Sequence, residues 1–289
     1  MAAYMYEVVF PMVLTVTSWI LLLLNILCFW CLIRGKLITT KENSIYIIIG
    51  YNVLSDTAAT FVHALFVEPS IYFGEWLVSE ATASFFGMLL WYTGLSAQIL
   101  LALHRLFAVV FPHIFTFTHR FICFGLMFLT IKSFVATLLM QSIISCCRVK
   151  YYPAMFSYSF EQKNLTNYSR LYVYNYMNGS FTTVCVIAYT ILLCHVFKVR
   201  SSTRSSNMKK EIRLGLQCAL MFFVSTMTWI WFSLLSELNN TTQAVVSFLG
   251  LVHFCTNTMV YLFFNRDVKD QLNGMRNSLL DFFSTTSQK

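Results

Sequence analysis

Charge is what this chain has least of. Only 11% of its 289 residues are Asp, Glu, Lys or Arg, against 57% hydrophobic. A soluble domain of this length cannot bury so much apolar surface, so the composition excludes one and points to a bilayer as solvent. Proline occurs four times, never in the last three apolar segments, and glycine ten times. Broken helices and Gly/Pro-interrupted segments of the kind many transporters use therefore have little to be built from. There is no HExxH, no nucleophile-elbow serine and no acid pair, and the six histidines are scattered, which leaves a membrane enzyme without its chemistry. Nine cysteines show no metal-ligand spacing. Seven of them fall in apolar segments, where a thiol behaves as a small apolar side chain, and only Cys146 and Cys147 sit near an oxidising face. No internal repeat or low-complexity segment is present.

What the chain does have is seven long apolar runs, each near the ~20 residues a membrane span needs. They cover 8–33, 44–67, 81–104, 121–143, 171–197, 214–236 and 244–264. The expectation is a single all-α domain over residues 1–289, a bundle of seven transmembrane helices. Two formal charges, Asp56 and Lys132, fall inside the runs. The first run lacks a basic leader and ends on Arg34 and Lys36, so it reads as a retained span.

Fifteen basic residues flank one side of these spans and four the other, Arg148, Lys150, Lys163 and Arg170. The positive-inside rule then places the amino terminus outside and the carboxyl terminus in the cytosol. The Asn-x-Ser/Thr sequons at Asn164, Asn167, Asn178, Asn239 and Asn240 all fall on or near the outer side and are candidate glycosylation sites. The net charge of +8 is accounted for by basic inner loops facing anionic lipid, and no nucleic-acid partner is called for. After the last span, Val268, Leu272, Met275, Leu279 and Phe282 recur at helical spacing, which predicts a membrane-surface helix over 265–283.

Polar groups inside a bilayer need partners. Asn25, Asp56 and Asn257 lie in spans one, two and seven, and together they would satisfy one another around water or a cation; the plainer alternative is polar glue between helices. Asn257 and Tyr261 are four apart and share a helical face. His104 and Arg105 close span three, and Arg105 either snorkels to the headgroups or pairs with an acid on a neighbouring helix, Glu211 being the candidate. Tyr189 of span five and Tyr261 would meet around Arg105. Lys132, at mid-span four, needs a partner or a water path, unless the span is shifted.

Asp56, Arg105 with Pro112 after it, Tyr189, the Asn257…Tyr261 pair and the surface helix resemble the rhodopsin-like G-protein-coupled receptor layout. Within it, His104-Arg105 followed by Ala108-Val109-Val110-Phe111-Pro112 resembles nematode serpentine chemoreceptors, class x or the related class xa. The resemblance covers nearly the whole chain and implies that His104, Arg105, Glu211, Tyr189, Asn257 and Tyr261 form a conformational switch. It further implies a small-molecule ligand in the outer half of the bundle and a heterotrimeric G protein inside. Departures exist: His104 stands where the family's acid is usual, Thr258 replaces the usual proline, and Glu80 sits where a lid-disulfide cysteine would be. By the same analogy the pocket draws on Gly87, Met88, Trp91, Tyr92 and Leu95, on Trp229, Trp231 and Phe232, and on Ser247, Leu251 and His253. Gly87 stands where amine receptors carry an acid, which disfavours an amine, and helix seven has no lysine to hold retinal. A small apolar ligand, with no cofactor, is the expectation; a transporter or ligand-gated channel is the alternative.

Overall fold

The computed structural model describes residues 8–39, 44–73, 75–111, 118–143, 149–152, 157–160, 167–200, 206–235 and 240–286. Helix α1 (Phe10–Arg34) is apolar on every side and starts with Pro11 in its first turn, where a missing N–H costs nothing. It ends in a tight reversal. Leu37 N–H donates to Leu32 O and Lys36 N–H to Ile33 O, the paired bonds of a Schellman cap. Lys36 takes the left-handed conformation (φ 52°) that such a cap usually gives to glycine.

Helix α2 (Ile45–Phe73) continues past the expected boundary at residue 67, because a π-wound stretch, His63–Val67, carries it into a last α turn, Glu68–Phe73. Helix α3 (Glu80–Val110) starts at an N-cap in which Ser79 Oγ accepts from Thr82 N–H. It is the hub of the bundle, packed against α2 and against α4 (His119–Leu138), α5 (Asn175–Arg200) and α6 (Ser206–Leu235). Helix α7 (Asn240–Phe264) lies beside α1, α2 and α6. All seven rods are long and apolar enough to cross a membrane. Their outward faces carry Trp19, Leu23, Trp30, Phe124, Phe128, Ile187 and Phe223, a surface suited to acyl chains rather than water.

After α7 the chain turns at Asn265, whose Oδ1 accepts from Val268 N–H and so caps α8 (Arg266–Thr286). Val268 is fully buried and Leu272 and Met275 pack on the inner core, while Lys269, Asp270 and Arg276 are exposed. Helix α8 is therefore amphipathic, as its sequence pattern predicts. The side chains of Leu279 and Phe282 lie outside the described residues.

One element has no counterpart in the sequence reading. The connection between α4 and α5 holds a two-stranded antiparallel hairpin, β1 (Val149–Tyr152) and β2 (Ser157–Phe160), with Val149 opposite Phe160. Both residues of that pair are buried, against Met88, Tyr174 and Met177 among others. The hairpin is a plug pressed into the mouth of the bundle.

Candidate functional site

Below that plug lies an open-mouthed cavity. Met88 and Trp91 of α3, Phe232 of α6 and Leu251 of α7 line it, together with Gly87, Ser247, Val149 and Phe160. Its largely apolar wall, with five aromatic side chains in the lining, suits a small organic molecule. Tyr92 and Trp229 do not line it. The buried Tyr92 hydroxyl donates to Met140 Sδ at 3.6 Å, just past the end of α4, because consecutive positions on a helix point roughly 100° apart and Tyr92 follows Trp91. Trp229 and Leu95 belong to a smaller pocket deeper down, with Gln98 and Ser225. Trp231 faces outward, and His253 supports the wall from behind, 5.0 Å from the Trp91 ring.

Among the wall residues outside the expected pocket, His63 and Glu68 form an acid–imidazole pair. His63 Nδ1 and Glu68 Oε1 are 3.1 Å apart, and both side chains line the cavity. Glu68, counted in the sequence among outer-side acids, is 2% exposed inside α2. On a regular α-helix residues five apart diverge by roughly 140°, so the sequence gives no sign of the pair. The π winding between them, closed by Glu68 N–H to His63 O, restores one face to both.

Asn178 is a second correction. It is buried in α5, where its Oδ1 accepts from Trp91 Nε1–H at 3.0 Å and its Nδ2 donates to Tyr174 O at 2.8 Å. A glycan has no access there, since the amide is consumed in holding Trp91. Asn167 Oδ1 accepts from Arg170 N–H at the start of the α5 rod. Asn164 and Asn239, and the side chain of Asn240, lie outside the described residues.

Beneath the cavity, Asn257 Nδ2 donates to Asp56 Oδ2 at 2.6 Å, joining α7 to α2. Asn25 does not reach Asp56 directly. Its Nδ2 donates to Thr60 Oγ1 and to Phe254 O, both at 3.1 Å, and Thr60 in turn donates to Asp56 O. The three helices are thus tied through one buried polar layer. Asn25 Oδ1, Asn257 Oδ1 and both amide atoms of Asn52 have no hydrogen-bond partner among the described residues, so the layer has acceptors to offer a water or a cation.

Lower still, Arg105, in the last turns of α3, is 2% exposed and so packed within the bundle rather than extended outward. Its charge lies within electrostatic reach of the hydroxyls of Tyr46, Tyr189 and Tyr261. Tyr189 packs on Phe222 of α6 at 5.6 Å. His104 Nε2 meets Ser44 Oγ at 3.3 Å. Glu211 is in the first turns of α6, with its side chain outside the described residues, as is Pro112. Lys132 faces the exterior of α4 with its Nζ 4.8 Å from the centre of the Phe181 ring, a cation–π contact to α5.

Residues 15–265 match the family model described as serpentine type 7TM GPCR chemoreceptor Srx. The chain belongs to that family. It is a multi-pass membrane protein of the G-protein-coupled receptor class, and not of an enzyme class. The fold agrees: squid rhodopsin, at 12% sequence identity, superposes with a TM-score of 0.76, covering 96% of this chain and 87% of the rhodopsin chain. No curated protein matches the chain by sequence. Class x is the one of the two expected serpentine classes to which this Srx chain corresponds.

Proposed function

We propose that this Srx receptor resides in the plasma membrane with its amino terminus outside, takes a small, largely apolar molecule into the cavity under the hairpin, and activates a heterotrimeric G protein. The observation that carries the reading is vertical continuity along α3. Met88 and Trp91 stand in the cavity wall, and Arg105 of the same helix is buried at its inner end. A ligand that shifts α3, α6 or α7 at the cavity changes the packing around Arg105, Tyr189 and Tyr261, because one rigid helix joins the two levels. The Asp56 layer between them acts as the joint, with water or a cation among its unfilled acceptors. The inner ends of α3, α5 and α6, with α8, form the docking face for the G protein.

The reading is tested by replacing Arg105 with Ala in a cell that reports second messenger. Cell-surface staining is expected to persist while agonist-driven and basal output are lost. Normal signalling from that variant would refute the switch role.

A further inference from the structure

Resting on the reading of the outer cavity as the ligand site, we propose that Glu68 is its polar anchor and that the ligand held there is a small protonated amine on an apolar body. The carboxylate is 2% exposed and flanks the cavity, yet only one of its oxygens is satisfied. Oε1 faces His63 Nδ1, whereas Oε2 has no hydrogen-bond partner among the described residues. An acceptor left open on a buried carboxylate is costly, because the group has lost water without gaining a donor. A ligand that brings an N–H to Oε2 recovers that loss, which gives the site a reason to prefer donors over plain hydrocarbons.

The rest of the wall selects among donors. Trp91, Phe232 and Phe254 line the same space, and aromatic rings attract a cation where they give an alcohol or amide little. An ammonium head carries three donors on a compact charge, so it serves Oε2 and the rings together. The described ionisable groups of the cavity wall are His63, Glu68 and Tyr174; Arg170 is not part of the wall but sits 5.8 Å from the centre of the Phe160 ring, where it donates to Ser233 O. The absence of an acid at Gly87 of α3 therefore does not exclude amines. The acid is on α2.

The test uses the purified full chain in detergent and four matched probes: 2-phenylethylamine, 2-phenylethanol, 3-phenylpropionate and ethylbenzene. The amine is expected to raise the melting temperature at a concentration roughly tenfold below that of the alcohol or the hydrocarbon, as a charge-assisted bond implies. Glu68→Gln, nearly the same shape, is expected to remove that advantage and leave the ethylbenzene response unchanged. Equal responses to amine and ethylbenzene in the unaltered protein, a preference for the acid, or an amine preference that survives Glu68→Gln each overturn the proposal. The cavity itself is judged separately. A Cβ at Gly250 meets nothing within 4 Å, so Gly250→Phe fills the space and should abolish all four responses. Responses untouched by Gly250→Phe would overturn the cavity reading and the anchor with it, while the outcomes above sink the anchor alone.

Discussion

The Asp56–Asn257 bond joins α2 to α7 inside the bundle, where both side chains are buried and each is the other's direct partner. Asp56→Ala leaves Asn257 Nδ2 as a stranded donor, and the expected loss is about 1–3 kcal/mol. Asp56→Asn keeps an acceptor at the same point and should cost far less. Thermal unfolding of the two variants in detergent checks the order; equal losses would mean that volume, not the hydrogen bond, matters there. That Asp56 and Asn257 belong together was readable, since two costly polar groups in neighbouring apolar spans must find each other. That Asn25 bonds Thr60 and Phe254 O instead was not readable, because a backbone carbonyl leaves no mark in a sequence. Asn178 shows the same limit. Its sequon is a chemical pattern, but the pattern is blind to burial against Trp91.

Among the elements, the junction of α1 with α8 is built closely. A Cβ on Gly35 would lie 2.8 Å from Gln271 Cγ and 3.0 Å from Cys31 O, so any side chain there would force Gln271 of α8 to move. With glycine committed to position 35, the left-handed cap residue falls to Lys36 (φ 52°). A non-glycine residue held there costs about 1–2 kcal/mol, so Lys36→Gly is expected to raise stability by about 1 kcal/mol once the added freedom of the unfolded chain is deducted. Unfolding temperature reports it, and a lower value than that of the unaltered protein would show that Lys36 is not strained. From α2, the Tyr46 hydroxyl also reaches α8, donating to Asp267 Oδ2. Tyr46→Phe and Asp267→Asn, alone and combined, should show coupling of about 1 kcal/mol, and additive effects would remove this latch. The amphipathic stripe of α8 was plain in the sequence because Val268, Leu272 and Met275 recur at one helical face. The hairpin was not, since four-residue strands such as Val149–Tyr152 are too short for alternation to separate them from a loop. The π winding of α2 was equally hidden, because His63 and Glu68 share no face on the helix that the sequence predicts.

For the molecule as a whole, an odd number of spans commits the two ends to opposite sides of the bilayer. The composition alone fixes the count, since seven apolar runs of membrane length became seven helices and no apolar run was left over. Which end lies outside depends on weaker quantities. The charge asymmetry survives the loss of Glu68 from the outer loops, because it rests on lysine and arginine, which the rule counts, rather than on acids. With Asn178 buried, the sequons that mark the outer side are Asn164, Asn167, Asn239 and Asn240. Two measurements on one tagged receptor then test the arrangement. In intact cells, antibody should reach an amino-terminal tag and miss a carboxyl-terminal one until the membrane is permeabilised. Glycosidase treatment should shift the mobility of the unaltered chain and of Asn178→Gln alike, while replacing Asn164, Asn167, Asn239 and Asn240 together should abolish the shift. An accessible carboxyl-terminal tag in unpermeabilised cells would invert the receptor, putting the cavity on the cytosolic face and the Arg105 level outside, where no G protein could reach it.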